Sequence, residues 1–263
     1  MDPSLRTAAT GMRAQQIRTE VIANNLANVN TTGFKRSRAH FEDLLYQTVQ
    51  GSTTTGSPEA GTTPAIQVGR GVRLAAVQRL HSTGAIEQTS SPFDLAIEGD
   101  GFFQVSLAGG GVAYTRDGSF TVSDSGMLVT SSGYPVVPGI EIPADAASVQ
   151  ISKSGIVTVV SGDATAEAQE VGRIELARFA NPTGLMALGE NLYSQSASSG
   201  EPTVGFPQED GMGRLLQGSL EGSNVEIVQE MVDMITSMRA YEINSKSVQN
   251  SERMSEIASG MVR

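Results

Sequence analysis

Residues 3–29 read PSLRTAATGMRAQQIRTEVIANNLANV, and along them Leu5, Ala8, Met12, Gln15, Thr19, Ile22, Leu26 and Val29 recur at alternating spacings of three and four. Six of these eight are apolar, so the pattern predicts an amphipathic helix with a narrow seam. Pro3 suits a first helical turn and Asp2 is a candidate N-cap. Gly33 stands where a left-handed C-terminal turn needs it. At 1.5 Å per residue the helix would be about 40 Å long.

The other end of the chain repeats the pattern. In Ser223–Met254, SNVEIVQEMVDMITSMRAYEINSKSVQNSERM, the residues Ile227, Met231, Met234, Met238, Tyr241, Ser245 and Val248 again step by four and three. Ser223 or Asn224 can cap this second helix, and Glu226 adds negative charge to its first turn. Neither Gly nor Pro interrupts residues 223–259, so the helix can occupy most of that span. Both seams are thin and rich in Met, Ala and Thr, and such helices order mainly on meeting partners.

The middle of the chain follows different rules. Gln50–Ala65, QGSTTTGSPEAGTTPA, has the composition of a loop or flexible arm. From Val68 to Leu220 short β-rich runs are split by turn signals. Asp100-Gly101, Asp117-Gly118 and Ser125-Gly126 sit where tight hairpins are expected. The expected fold is α+β, with long N- and C-terminal helices pairing into a coiled-coil-like domain and one or two antiparallel β domains between them. On this reading residues 1–33 and 223–263 form the helical domain, 34–70 an extended arm, and 71–222 the β-rich core.

Composition excludes several function classes. The 263 residues carry a net charge of −10, which opposes both nucleic acid and anionic membrane surfaces. There is no Cys, so disulfides, thiolate metal sites and Cys nucleophiles are all absent. No run of about 18 apolar residues offers a membrane span, and the N-terminus lacks the apolar stretch of a cleavable signal peptide.

Chemistry-bearing motifs are sparse. His40 and His81 are the only histidines, neither stands in a metal-ligand spacing, and both are expected to be surface or half-buried. The tripeptides Gly69–Gly71 and Gly99–Gly101 lack the continuation of a phosphate loop and read as turns. Glu42 and Asp43 are adjacent, point in different directions and read as solvated charge rather than a glycosidase pair. Lys35, Arg36 and Arg38 read as a solvated loop or a salt-bridging patch. No catalytic, metal-binding or cofactor-binding residue is assigned.

ANNLANVNTTGFK (Ala23–Lys35) together with GSLEGSNVEIVQEMVDMITSMRAYEINSKSV (Gly218–Val248) resembles the paired terminal signatures of the bacterial flagellar rod and hook protein family. The central DLAIEGDGFFQV and AYTRDGSFTVSDSGMLVTSSGYPV resemble that family's β core. Within the family, FEDLLYQTV, the insertion before QVGRGVR, and GENLYSQSASSGEP are similar to the members that build the distal rod; proximal rod and hook subunits are the nearest alternatives. A glycan-binding or peptidoglycan-active protein is the remote one.

The resemblance implies a non-catalytic subunit without cofactor, exported unfolded and without a cleaved signal peptide. It would polymerise with itself into a helical hollow rod spanning the periplasm to the outer membrane. The implied partners are the proximal rod proteins, the hook protein, the L-ring and P-ring proteins, and the rod cap during assembly. Residues 47–66 correspond to the distal-rod insertion thought to lock neighbouring subunits into a straight tube. The implied subunit-interface residues are Leu5, Met12, Ile22, Asn24, Asn25, Leu26, Asn28, Val29, Ile227, Met231, Met234, Met238, Tyr241 and Val248. Asn is a mediocre helix former, so Asn24, Asn25 and Asn28 are expected to fix register between subunits, their amides donating to and accepting from a neighbouring copy.

Overall fold

The computed structural model describes residues 3–50, 65–143, 145–161 and 168–261. Helix α1 spans Pro3–Ala27 and helix α2 spans Ile227–Met261, with short strands and one 3-10 turn between them. The chain divides into two units: Met1–Leu26, Ser37–Gln78 and Glu226–Arg263 form one, and Ala27–Arg36 and Arg79–Val225 form the other. Asp2 and most of the insertion, residues 51–64, lie outside the described residues.

The expected α+β class is corrected. Strand exceeds helix, 37% to 26%, so the protein is mostly β with one helix at each end. The expected coiled-coil-like seam is corrected as well, because the two helices meet along small and polar side chains. Ser4 Oγ lies 3.1 Å from Ser251 Oγ, and Ser237 Oγ donates to the Gln15 carbonyl at 3.0 Å. Arg18 reaches Asp233 at 3.3 Å, and Asn25 donates to Glu230 at 3.1 Å. Partner numbers rise along α1 as they fall along α2, so the pair is antiparallel. The buried residues of α2 are Glu230, Ser237 and Ser251, with half-buried Asn244 completing a seven-residue repeat. The Met and Ile stripe read from the sequence lies beside this repeat, not on it.

Between the helices, the same unit carries two antiparallel ribbons. Ser37–Asp43 pairs with Val72–Arg79, and Gln47–Gln50 pairs with Ile66–Val68. Thr10 Oγ1 of α1 accepts the Val72 N–H at 3.3 Å.

In the second unit a six-stranded antiparallel sheet runs in the order Met186–Gly189, Leu192–Ser194, Val112–Thr115, Phe102–Ser106, Leu176–Arg178, Thr203–Gly205. Successive residues of a strand face opposite ways, and here each face has its own apolar layer. Phe103, Val105, Ala113, Leu176 and Leu192 join the main core with Leu95, Ile97, Leu128 and Leu215. Their immediate neighbours Phe102, Tyr114, Ala177 and Tyr193 join a second cluster with Phe179 and Leu185. Two covered faces explain why FFQV is buried at every position rather than at alternate ones.

Of the three expected hairpins, the one at Ser125-Gly126 forms, joining Phe120–Val122 to Leu128–Thr130 with Gly126 at φ +82°. The other two do not. Leu95–Glu98 pairs with Arg214–Gln217, so Asp100-Gly101 is a crossover between separate ladders. At Gly118 an added Cβ would sit 1.6 Å from the Leu95 carbonyl oxygen, so that glycine serves a close backbone approach rather than a turn.

Candidate assembly interface

The polar seam between α1 and α2 leaves the apolar side chains of α2 outside. Val228, Met231, Val232, Ile235 and Met238 recur at spacings of three and four and so share one face. Val228 is 76% exposed, Met231 and Ile235 51% each. Ile243, Met254, Ile257 and Met261 continue the exposed apolar surface toward the C-terminal end. A contiguous apolar surface of this kind marks a protein-protein contact.

The residues singled out from the sequence divide into three groups. Ile227, Met231, Met238, Tyr241 and Asn24 are exposed. Leu5, Met12, Leu26, Asn28, Val29, Met234 and Val248 are half-buried. Ile22 and Asn25 are buried inside the chain. Asn25 spends its whole amide there: Nδ2 donates to the Ser37 carbonyl at 2.8 Å and to Glu230, and Oδ1 accepts the Ser37 N–H at 2.8 Å. This two-point grip copies a strand's backbone pairing and fixes α1, the first strand and α2 in one register. Sequence reasoning missed Glu230, Ser237 and Ser251, although their seven-residue spacing was the available signal.

The second unit holds a buried ionic cluster. Lys35 Nζ lies 2.5 Å from Glu221 Oε1, and Arg116 Nη1 lies 3.3 Å from Glu221 Oε2. The Lys35 and Glu221 side chains are 0% exposed and Arg116 2%. One carboxylate thus faces two cations, main-chain oxygens accept further hydrogen bonds from both, and the buried Arg116 Nε has no partner. Lys35 also donates to the Ser82 carbonyl at 2.8 Å, and Arg116 Nη2 to that of Gly99 at 2.8 Å. Burial lowers both cations from their ordinary ranges, Glu221 opposes that shift in each, and Arg116 pushes Lys35 down further. Beside them His81 is pushed down to about 4, first by burial and then by Lys35, Arg116 and Arg79. Its ring packs edge-on against Phe102 and Tyr193 at 5.5 and 5.3 Å. Lys35 is therefore structural, whereas Arg38 and His40 are exposed.

The turn that carries Lys35 is shaped for this position. Gly33 adopts φ +67°, and a Cβ there would sit 2.6 Å from the Asp117 nitrogen. Thr32 Oγ1 donates to Asp117 Oδ1 at 2.9 Å, and Asn191 Nδ2 donates to the Thr32 carbonyl at 2.9 Å.

Three segments match family models: residues 5–35 the flagella basal body rod protein, residues 96–159 the flagellar hook protein FlgE/F/G D1 domain, and residues 216–261 the flagellar basal body rod FlgEFG protein C-terminal region. The flagellar basal-body rod protein FlgG of Borreliella burgdorferi is 50% identical over 99% of this chain and 98% of its own. The FlgG of Caulobacter vibrioides is 48% identical over 97% and 98%, against 34% over 98% and 97% for the FlgF of the same organism. The chain belongs to the flagellar basal-body rod protein family. It is a structural subunit of the flagellum.

In this rod protein the ionic cluster draws one residue from each matched segment: Lys35 from the first, Arg116 from the second and Glu221 from the third. Among the described residues no His, Cys, Asp or Glu group could hold a metal ion, and no helix is long and apolar enough to cross a membrane. Glu42, weighed above as a carboxylate, forms an exposed ion pair with Arg73.

Proposed function

We propose that this chain is the repeating subunit of the distal rod, polymerising helically into a stiff hollow shaft that transmits torque and carries the export channel. The observation that carries this reading is the outward apolar face of α2, a helix whose buried residues Glu230, Ser237 and Ser251 are polar. A helix that hides Ser and Glu and exposes Met, Ile and Val is built to be covered by other copies. The higher identity to FlgG than to FlgF supports the distal position over the proximal one.

On this reading the terminal helices line the inner tube and the β unit forms the outer wall. Neighbours are the proximal rod proteins below, the hook protein above, the L-ring and P-ring proteins outside, and the rod cap during assembly. The exposed members of the sequence-derived set, Asn24, Ile227, Met231, Met238 and Tyr241, are proposed as intersubunit contacts. The subunit catalyses nothing. Residues 47–66 stiffen the shaft, and their deletion yields a curved polymer.

A strain lacking this chain is expected to stop assembly before the hook. A complete rod bearing a hook in that strain would overturn the reading.

A further inference from the structure

We propose that Lys35, Arg116 and Glu221 form an order-of-folding clasp, in which the turn Asn30–Lys35 docks on the β unit only after the C-terminal segment has delivered Glu221. The clasp is a property of the folded chain and does not depend on the rod reading.

Glu221 is the sole anion contacting two buried cations, and it does more than neutralise them. Its Oε1 also accepts the Gly84 N–H at 2.9 Å, and its main-chain carbonyl accepts the Gly33 N–H at 2.8 Å. Without it, docking the turn would bring the Lys35 ammonium into an interior already holding the Arg116 guanidinium, with carbonyl oxygens and the charge of Asp100 beside Arg116 to receive them. Stripping water from two like charges with no carboxylate in contact with either costs more than the gain from the two bonds that Thr32 makes to Asp117 and Asn191. The turn therefore waits. Once Glu221 arrives, the same three groups hold the roots of both terminal segments, since Lys35 lies eight residues past the end of α1 and Glu221 six before the start of α2.

A chain made from its N-terminus thus keeps its first segment undocked until nearly all of it is present. That order keeps a partly delivered chain from committing its N-terminal segment early.

The test is pulse-labelling hydrogen exchange during refolding of the full-length chain. The amide of Phe34, which donates to the Thr31 carbonyl inside the turn, is expected to gain protection in the same kinetic phase as residues 216–222, at least five-fold more slowly than Val105. Protection at Phe34 ahead of residues 216–222 would overturn the proposal. At equilibrium, Glu221→Gln is expected to cut protection at Gly33 and Gly84 by at least about 100-fold while Val105 changes by less than three-fold. Equal loss at all three positions, or no loss at Gly33, would also overturn it. The triple variant Lys35→Met, Arg116→Met, Glu221→Leu removes the charges together, so docking read at Phe34 should return and no longer wait for residues 216–222. Continued waiting in that variant would mean that charge is not the cause.

Discussion

The β unit and helix α2 bury opposite kinds of residue. In the β unit Phe103, Leu176 and Leu215 are inside, two apolar layers cover both faces of one sheet, and the ions that enter are paired. Among the described residues α2 buries Glu230, Ser237 and Ser251 while Val228, Met231 and Ile235 face outward, and α1 supplies Asn25 beside the buried Ala8, Ala14 and Ile22. The first arrangement is complete in one chain. In the proposed polymer the apolar face of the second is covered by other copies, so the two units should respond differently to the same kind of substitution.

The largest expected effect lies in the β core. Phe103→Ala should lower the stability of the isolated subunit by about 3 to 5 kcal/mol in urea denaturation, because the site is closed on every side. A loss below about 1 kcal/mol would erase the distinction between the units.

Acid comes next. The folded His81 titrates near 4 against an ordinary 6.5, so its contribution is fully present above pH 6.5 and is lost as pH falls toward 4. The lowered value corresponds to roughly 3 kcal/mol. A His81→Phe variant should lose less stability between pH 6.5 and 4 than the parent chain, and identical acid profiles would sink this attribution.

Gly33→Ala should cost about 2 kcal/mol, since both the positive φ and the nearby Asp117 backbone resist a Cβ. Thermal unfolding of the subunit reads it directly.

The smallest effect on the isolated subunit belongs to the exposed stripe. Ile235→Asp should change monomer stability by less than about 0.5 kcal/mol yet abolish polymerisation followed by light scattering. A variant that polymerised normally would remove that face from the contact.

Both helices were legible in the sequence because a 3.6-residue period survives whichever partner covers it. Their facing was not. Met231 and Glu230 are neighbours in sequence but lie about 100° apart around the helix, and the usual rule that apolar means inside selects Met231. The rule misleads here because α2 turns its polar residues toward α1, and the proposed apolar partner belongs to another copy. Asn25 was expected to set register against a neighbouring copy, but its amide is used inside the chain, and its grip on Ser37 and Glu230 spans sequence separations that no local pattern encodes. The hairpin at Ser125-Gly126 was readable from its turn pair. Gly118 was not, since its need for a missing side chain comes from Leu95 in a separate strand. Lys35 and Glu221 are 186 residues apart, and composition alone could place Lys35 in solvent or in an ion pair.

Amide hydrogen exchange on the subunit before and after polymerisation tests the contrast between the two units most directly. In the isolated subunit the amides of α2 from Val228 to Met238 should exchange much faster than those of Phe102–Ser106, and polymerisation should slow the helix amides while leaving the sheet nearly unchanged. Equal protection of helix and sheet in a verified monomer, with no gain on assembly, would contradict the account.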